Sequence, residues 1–443
     1  MTAPAERHGK GRTVAFETLG CKLNQYETDA IATAVANHGY RVVPLQEDAD
    51  AYVINSCTVT NKADRKTRNT INRALRLGAD RAPVVVTGCF VNSHPEVDDR
   101  VRYWIDNNHK NTIPEVLDAH FRGETVDPHT LAADPFGYTP PKQIFHTRTN
   151  LKVQEGCDNF CTFCIIPFVR GRARSRAAAA VLQEARAAVL RGSRELVLTG
   201  VNMSRYRHEE ADFTALVARI LELPGTFRVR ISSLEPDQLD QRFLDLFRHE
   251  KMCRHLHLCL QSGSDRILLQ MRRMYTLQSY REVVQRLRAL DPLFNVTTDL
   301  ITGFPGESEA DFERSLNAVR EFTFGHVHVF PYSVRSGTRA ERMTGAVPVE
   351  ERRRRTTLLQ EVADREKQRY RRQLVGSTAQ VLVEKLEETP GGVVAATGLS
   401  GYYVPVRFTP GARTQHNTVV ETKIDGMDDH AGGFTLLGTE QPR

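Results

Sequence analysis

The stretch EGCDNFCTFCIIPFVRGRARSR, residues 155–176, sets Cys157, Cys161 and Cys164 in a C-x3-C-x2-C run and follows them with Arg170, Arg172, Arg174 and Arg176. Thiolates are the soft donors that zinc and iron–sulfur clusters select, and such sites want four ligands. Three crowded thiols with no fourth close by leave one coordination position open. A cluster this dense points to metal or redox chemistry rather than to a loop that happens to hold small apolar thiols. A disulfide with one thiol left over fits poorly, because cytosolic thiols are kept reduced.

Working outward, Cys157 closes the strand-like NLKVQEGC (150–157), the first of six such segments. The others are RELVLTGVN (194–202), FRVRISSLEP (227–236), HLHLCLQSGS (255–264), NVTTDLITGFPGE (295–307) and HVHVFPYS (326–333). Amphipathic stretches such as YREVVQRLRAL (280–290) and SLNAVREF (315–322) separate them. Six strand and helix repeats argue for a parallel, barrel-like α/β domain with right-handed crossovers, here an open six-unit barrel with its site on the C-terminal rim. Each segment ends in small or polar residues, and glycines there let a ligand approach the backbone. One such loop would be ordinary turn chemistry. Six around one mouth, with a three-cysteine loop on the first, read as a cofactor site.

Upstream, TVAFETLGC (13–21), AYVINSC (51–57) and APVVVTGC (82–89) are three further strands, each delivering a cysteine at its carboxyl end, where open parallel sheets place their ligands. NQYETDAIATAVANHG (24–39) reads as a helix with Asn24 as N-cap and Gly39 as stop. Taken singly, Cys21, Cys57 and Cys89 would each be core residues. Their equivalent positions make them a second three-thiolate cluster. The segment 120–145, rich in Pro, Gly and Asp and without a period, reads as a linker. The expected modules are an N-terminal open parallel α/β domain over 13–125, a linker over 126–142, a barrel domain over 143–372 and a small all-β domain over 373–438.

The chain has 443 residues, enough for two to four domains, and its eight cysteines are too sparse for a disulfide scaffold. Its opening MTAPAERHGKGR lacks an apolar h-region, and no run approaches membrane-span length. A cytoplasmic enzyme without a membrane partner is therefore the expectation. The net charge of +6 permits an anionic partner such as RNA.

The three-cysteine loop on the first strand of a partial barrel resembles the radical S-adenosylmethionine (SAM) superfamily. More narrowly, TLGCKLNQYETD (18–29), NSCTV (55–59), TGC (87–89), the 155–176 stretch, LTGVN (198–202), LQSGSD (260–265) and TDLITGFPGE (298–307) together resemble its methylthiotransferases over residues 13 to 438. GCKLNQYET and FVRGRARSR point to the branch that acts on N6-threonylcarbamoyladenosine beside the tRNA anticodon. The resemblance implies two 4Fe-4S clusters, one catalytic on Cys157, Cys161 and Cys164, where SAM binds the fourth iron, and an auxiliary one on Cys21, Cys57 and Cys89. It implies SAM contacts from Gly200, Asn202, Ser233, Gln261, Ser262 and Gly303. The implied reaction cleaves SAM reductively to a 5'-deoxyadenosyl radical, which removes hydrogen from carbon 2 of the adenine. Sulfur from the auxiliary cluster, bearing a methyl group from a second SAM, then takes its place. A sulfur donor and an electron donor are further implied partners, and a monomer is assumed. Sister activities on isopentenyladenosine in tRNA or on an aspartate of a ribosomal protein, and a non-catalytic iron–sulfur RNA-binding protein, are the alternatives.

An aromatic C–H bond offers no acidic proton to a general base, so the hard step belongs to a cofactor. No side-chain acid or base is nominated, and Glu155 and Asp299 stand only as polar rim residues. Cys259 sits where relatives usually show proline; within an alternating strand, and with Cys253 nearby, it reads as a core thiol. The tail from 374 onward forms short alternating strands and resembles the tRNA-gripping TRAM domain, an OB-like barrel. That tail carries Lys385, Arg407, Arg413, Lys423 and Arg443 against eight Asp and Glu, a formal charge of −3. Phosphate binding favours the opposite sign, although Tyr402, Tyr403 and Arg407 could touch RNA. The basic candidates lie elsewhere: RKTRNTINRALR (65–76), RRRRTTLLQEVADREKQRYRRQ (352–373), and Arg170, Arg172, Arg174 and Arg176, of which Arg174 or Arg176 could instead hold the SAM carboxylate.

Overall fold

The computed structural model describes residues 11–45, 48–79, 81–94, 98–142, 147–388, 394–412, 414–428 and 435–441. The expected barrel start at 143, and Arg413 and Arg443 of the acidic tail, lie outside these. Contacts divide the chain into two compact units, one of Met1–Glu184, Thr199–Val201 and Val334–Thr338, the other of Ala185–Leu198, Asn202–Ser333 and Arg339–Arg443. Among the described residues, no helix is long and apolar enough to cross a membrane.

The first unit is built on a parallel sheet with strands in the order Arg41–Pro44, Thr13–Thr18, Ala51–Ser56, Val84–Gly88 and Tyr103–Ile105. The central Ala51–Ser56 strand is buried throughout, as a strand covered on both faces must be. Successive side chains point to opposite faces. Val14, Phe16 and Val53 pack beneath the helices Lys22–Asn37 and Ile113–Phe121, while Ala15, Tyr52 and Ile54 meet Ile71 and Ala74 of the helix Asn61–Gly78.

Segment 126–142 has little regular structure beyond the 3-10 turn Pro128–Thr130, but it is not a free tether. Tyr138 is buried edge-on against Tyr26, ring centroids 5.9 Å apart, so aromatic anchoring overrides the loop-like composition.

The second unit carries parallel strands in the order His326–Pro331, Asn295–Thr302, Met252–Leu258, Arg228–Leu234 and Glu195–Thr199, which is the reverse of chain order, strand by strand. The helices Leu277–Leu290 and Glu309–Phe322 occupy the expected connections, each opened by a capping box, on Thr276 and Ser308 respectively. The first of the expected six segments, Thr149–Lys152, belongs to the first unit, where the Val153 N–H donates to the Thr199 carbonyl at 2.9 Å. After the long helix Val349–Gln373, the strands Thr378–Glu388, Val394–Ser400, Pro405–Thr409, Val419–Asp428 and Thr435–Glu440 close into a barrel, as the alternating pattern implies.

That small barrel is fastened through a buried charge cluster. Glu195 accepts from Arg228 Nε at 2.6 Å and Arg230 Nε at 2.7 Å, and both guanidinium groups go on to donate to the carbonyls of Gln380, Leu399, Ser400 and Gly401. Arg230 and Glu195 are wholly excluded from water. Breaking a buried pair from one side strands the other charge, so Glu195→Ala is expected to cost about 3–5 kcal/mol. Urea unfolding of the apoprotein measures this, and a midpoint unchanged from the parent would contradict it.

Tyr402 and Tyr403, considered for RNA, are engaged here instead. The Tyr402 hydroxyl donates to Asp291 at 3.2 Å, and the Tyr403 ring stacks on His255 at 4.4 Å. Arg407 remains exposed. Cys253 lies buried in its strand, whereas Cys259 falls just past the Met252–Leu258 strand and is half-buried, so the reading of Cys259 as a thiol within the strand is corrected.

Candidate functional site: two cysteine triplets

Parallel register delivers the upstream cysteines to one sheet end. Thr18 pairs with Asn55, and Ser56 with Gly88, so the chain positions that follow, Gly20–Cys21, Cys57 and Cys89, emerge side by side. Gly20, with φ +106°, shows how close they are: a Cβ there would lie 2.8 Å from the Cys57 Cβ and 3.1 Å from its Sγ. Gly88, with φ +103°, lets its strand press onto the next, since a Cβ would meet the Ser56 carbonyl oxygen at 2.4 Å. Cys89 and Cys57 are buried and Cys21 is exposed. Burial pushes the Cys57 thiol up to about 12, and Cys89 and Cys21 beside it add to the rise.

Cys21, rather than the expected Asn24, is the N-cap of the first helix. The Asn24 amide serves the turns instead. Its Nδ2 donates to the Leu19 carbonyl at 2.7 Å and the Ser56 carbonyl at 2.9 Å, tying together the turns that carry Cys21 and Cys57. Arg335, which nothing in the sequence singled out, supports the same place. It donates to the Thr58 carbonyl at 2.9 Å and to Asp64 at 2.6 Å.

The downstream triplet sits on a loop closed by a small antiparallel pairing, Gln154 with Ser175 and Glu155 with Arg174. Gly156, with φ +67°, is obligatory at the closure because a Cβ would meet the Arg172 carbonyl oxygen at 2.0 Å. The Cys157 N–H donates to the Gly171 carbonyl at 3.1 Å, and the Cys164 N–H to the Cys161 carbonyl at 2.9 Å. The Asn159 N–H points at the Cys157 sulfur from 3.4 Å, the kind of donor a thiolate wants. Gln154, also missed in the sequence, clamps this loop. Its amide donates to the Glu155 and Gly156 carbonyls and accepts the Val201 N–H at 2.9 Å, next to Gly200.

The four arginines separate. Arg172 is exposed and paired with Asp158 at 2.5 Å, and Arg174 is exposed with Asn108 at 3.1 Å. Arg170 and Arg176 are buried, which corrects their place among the RNA contacts. Arg176 pairs with Glu184 at 2.6 Å and donates to the Lys152 carbonyl, so it is not free for a SAM carboxylate either. Arg170 sits among charges: Nη1 reaches Glu155 at 2.9 Å and Glu27 at 3.1 Å, Nη2 reaches Asn24 at 2.5 Å, and Nε lies 3.3 Å from the Cys89 sulfur. Lys152 joins Glu27 at 2.8 Å and Glu155 at 2.5 Å, and Lys110 joins Glu27. Burial alone would push the Glu27 carboxyl up, but Arg170, Lys110 and Lys152 hold it well below the usual carboxylate range.

In the second unit, Gln261 is the clearest rim feature. It is buried at φ +68°, held by its N–H to the Asp299 carbonyl at 2.8 Å and by the Ile301 N–H to its own carbonyl at 2.9 Å. A non-glycine residue fixed there is strained, and such strain collects at ligand sites. Asn202 is buried and accepts from the Ser204 hydroxyl at 2.7 Å, and Ser233 is half-buried. Two residues are otherwise occupied. Ser262 has no exposure, and its hydroxyl accepts the Ser264 N–H at 3.2 Å. The space at Gly303, φ +69°, is taken by Arg352, whose Cγ a Cβ would meet at 2.1 Å. Asp299 pairs with His257 at 3.4 Å.

Residues 13–104 match a family described as uncharacterized protein family UPF0004, and residues 151–319 match the radical SAM superfamily. The threonylcarbamoyladenosine tRNA methylthiotransferase MtaB of Thermotoga maritima is 36% identical over 90% of this chain and 91% of its own length. That of Bacillus subtilis is 35% identical over 93% of each. A tRNA-2-methylthio-N(6)-dimethylallyladenosine synthase of Chromobacterium violaceum is 31% identical over 97% of this chain and 99% of its own. Among solved structures, the radical SAM methyltransferase TsrM of Kitasatospora setae shares the fold at 14% identity and TM-score 0.54, covering 72% of this chain and 75% of its own. The chain belongs to the radical S-adenosylmethionine methylthiotransferase family.

Proposed function

We propose that this protein is a tRNA methylthiotransferase that adds a methylthio group to carbon 2 of N6-threonylcarbamoyladenosine next to the anticodon, using two 4Fe-4S clusters and two SAM molecules. The observation that carries it is the pair of separate cysteine triplets in one compact unit, each offering three sulfurs. Relatives bearing that activity in their name, at 34–36% identity over most of their length, support the substrate. Among the described residues, the groups that gather ligand atoms within 4.8 Å of one another, as one ion needs, are Asp106–His109–His129 and His257–Asp299–His328.

The donor set fits. Cys157, Cys161 and Cys164 would hold the catalytic cluster, with the Asn159 N–H aimed at a sulfur. Cys21, Cys57 and Cys89 would hold the auxiliary one, with Arg170 and Asn107 donors directed at Cys89. When bound, these clusters supply the electron for reductive SAM cleavage and the sulfur for transfer. The chain's own part is to bind, orient and exclude water. Gln154 fixes the catalytic loop, Asn24 and Arg335 fix the auxiliary turns, and Gly200, Asn202, Ser233 and Gln261 are the proposed SAM contacts. Ser262 and Gly303 would act indirectly, by shaping their loops. We take the functional modules as 13–125, 143–372 and 373–438, joined by 126–142.

For the RNA, the helix Asn61–Gly78 presents Lys62, Arg65, Lys66, Arg68, Arg73 and Arg76 to solvent. In the other basic helix Arg354 is paired with Glu309 and Glu351, Arg355 with Glu307 and Arg369 with Glu366, while Arg353, Arg365 and Arg372 also face solvent. Exchanging Arg65, Lys66 and Arg73 for glutamate is therefore expected to weaken tRNA binding. The slope of log affinity against log salt should fall by roughly 0.7–0.9 for each phosphate that is no longer neutralised. Filter binding across a salt series checks this, and an unchanged slope would move the grip elsewhere.

Mass spectrometry of tRNA nucleosides from a deletion strain tests the substrate. Loss of 2-methylthio-N6-threonylcarbamoyladenosine, restored by the wild-type chain, is expected. Its persistence together with loss of the methylthio-dimethylallyladenosine product would overturn the substrate assignment.

A further inference from the structure

We propose that Arg170 is a positioning residue that sets the reduction potential of the auxiliary cluster, through its Nε–H bond to the Cys89 sulfur and the buried charge network behind it. The inference rests on the reading that Cys21, Cys57 and Cys89 hold a cluster. Arg170 belongs to the loop of the catalytic triplet, six residues past Cys164, yet its Nε donates to a cysteine of the other triplet at 3.3 Å.

The remaining guanidinium nitrogens leave it no freedom. Nη1 donates to both Glu155 oxygens at 2.9 and 3.0 Å and to Glu27 at 3.1 Å, and Nη2 donates to Asn24 at 2.5 Å and Glu27 at 3.3 Å. A forked donor pinned at five contacts aims its last N–H with little loss of entropy. Glu155 lies two residues before Cys157, and Asn24 ties the Cys21 and Cys57 turns, so one side chain holds both cysteine loops.

Charge gives the second argument. The network joins three cations, Arg170, Lys110 and Lys152, to two carboxylates, Glu27 and Glu155, all with side chains at most 4% exposed. Out of water, an excess positive charge demands an anion close by. A metal-binding cysteine is deprotonated, so the Cys89 thiolate is that anion. Hydrogen bonds to sulfur, net charge and solvent exposure are what tune an iron–sulfur potential, and Arg170 supplies the first two at the buried Cys89. A purely structural salt-bridge cluster would need no donor on the sulfur.

The test uses the full chain with Cys157, Cys161 and Cys164 replaced by alanine, so that only the auxiliary cluster is present, and follows its reduction by electron paramagnetic resonance against applied potential. In that background Arg170→Gln is expected to lower the reduced-to-oxidised ratio about tenfold at a fixed potential, a shift of about 59 mV to more negative values for one electron. Arg170→Lys keeps the charge but loses the fork, and should shift less in the same direction. If Arg170→Gln fails to hold iron, Arg170→Lys alone decides. An iron-loaded variant that titrates with its parent overturns the proposal alone. A parent that holds no iron overturns the two-cluster reading and the proposal with it.

Discussion

Replacing Cys21, Cys57 and Cys89 together with alanine is expected to take the anaerobically reconstituted protein from about eight irons per chain to about four. SAM cleavage should continue and no methylthio nucleoside should form. The two triplets stand on different elements. The upstream cysteines stand on three adjacent strand ends, with Asn24 and Arg335 holding the turns of Cys21 and Cys57, while the downstream triplet sits in its own loop, closed at Gln154–Glu155 and Arg174–Ser175. Removing three thiols from the first takes no cysteine ligand from the second. The reciprocal change, Cys157, Cys161 and Cys164 to alanine, should keep about four irons and abolish cleavage. An upstream variant that retained all its iron, or lost cleavage as well, would contradict the division.

Glu27→Ala should have the largest effect on folding. Glu27 is completely buried and holds Lys110, Lys152 and Arg170, so its loss leaves three buried cations with Glu155 alone. Stranding a buried charge costs about 3–5 kcal/mol, against a total stability of about 5–15 kcal/mol. The apoprotein should therefore unfold at much lower urea or fail to accumulate, and Glu27→Gln, which keeps the shape, should fall between. Because the folded carboxyl is held well below its unfolded value of about 4.3, this stabilisation is fully present above that pH and is lost only as pH falls toward the depressed folded value. A urea midpoint equal to the parent's in Glu27→Ala would contradict the network's role.

Much of this architecture was legible because strand and chemistry coincide in the sequence. Each cysteine of the upstream triplet follows a short apolar run, and parallel pairing turns that repetition into proximity. The small barrel declared itself by alternation, as in Pro405–Thr409, where every second residue is buried. What the sequence hid depends on partners far along the chain. Glu27 reads as an ordinary polar helix residue, yet the helix Lys22–Asn37 is buried on most sides, and the cations that meet it come from residues 110, 152 and 170. Arg170 and Arg176 looked like members of an exposed basic run because spacing alone does not tell which arginines of a loop turn inward. Gly303 looked like a ligand-facing glycine, while its empty volume serves Arg352 on a later helix. The edge strands Arg41–Pro44 and Tyr103–Ile105 escaped notice because they are only four and three residues long.

The most direct measurement is a single anaerobic assay. Reconstituted protein, a low-potential reductant, methyl-labelled SAM and tRNA carrying N6-threonylcarbamoyladenosine are combined, and the nucleosides are analysed by mass spectrometry. The two-triplet account predicts 5'-deoxyadenosine together with a 2-methylthio nucleoside bearing the labelled methyl group, the latter absent when Cys21, Cys57 and Cys89 are alanine. SAM cleavage without any methylthio nucleoside, or the same product from the alanine variant, would contradict it.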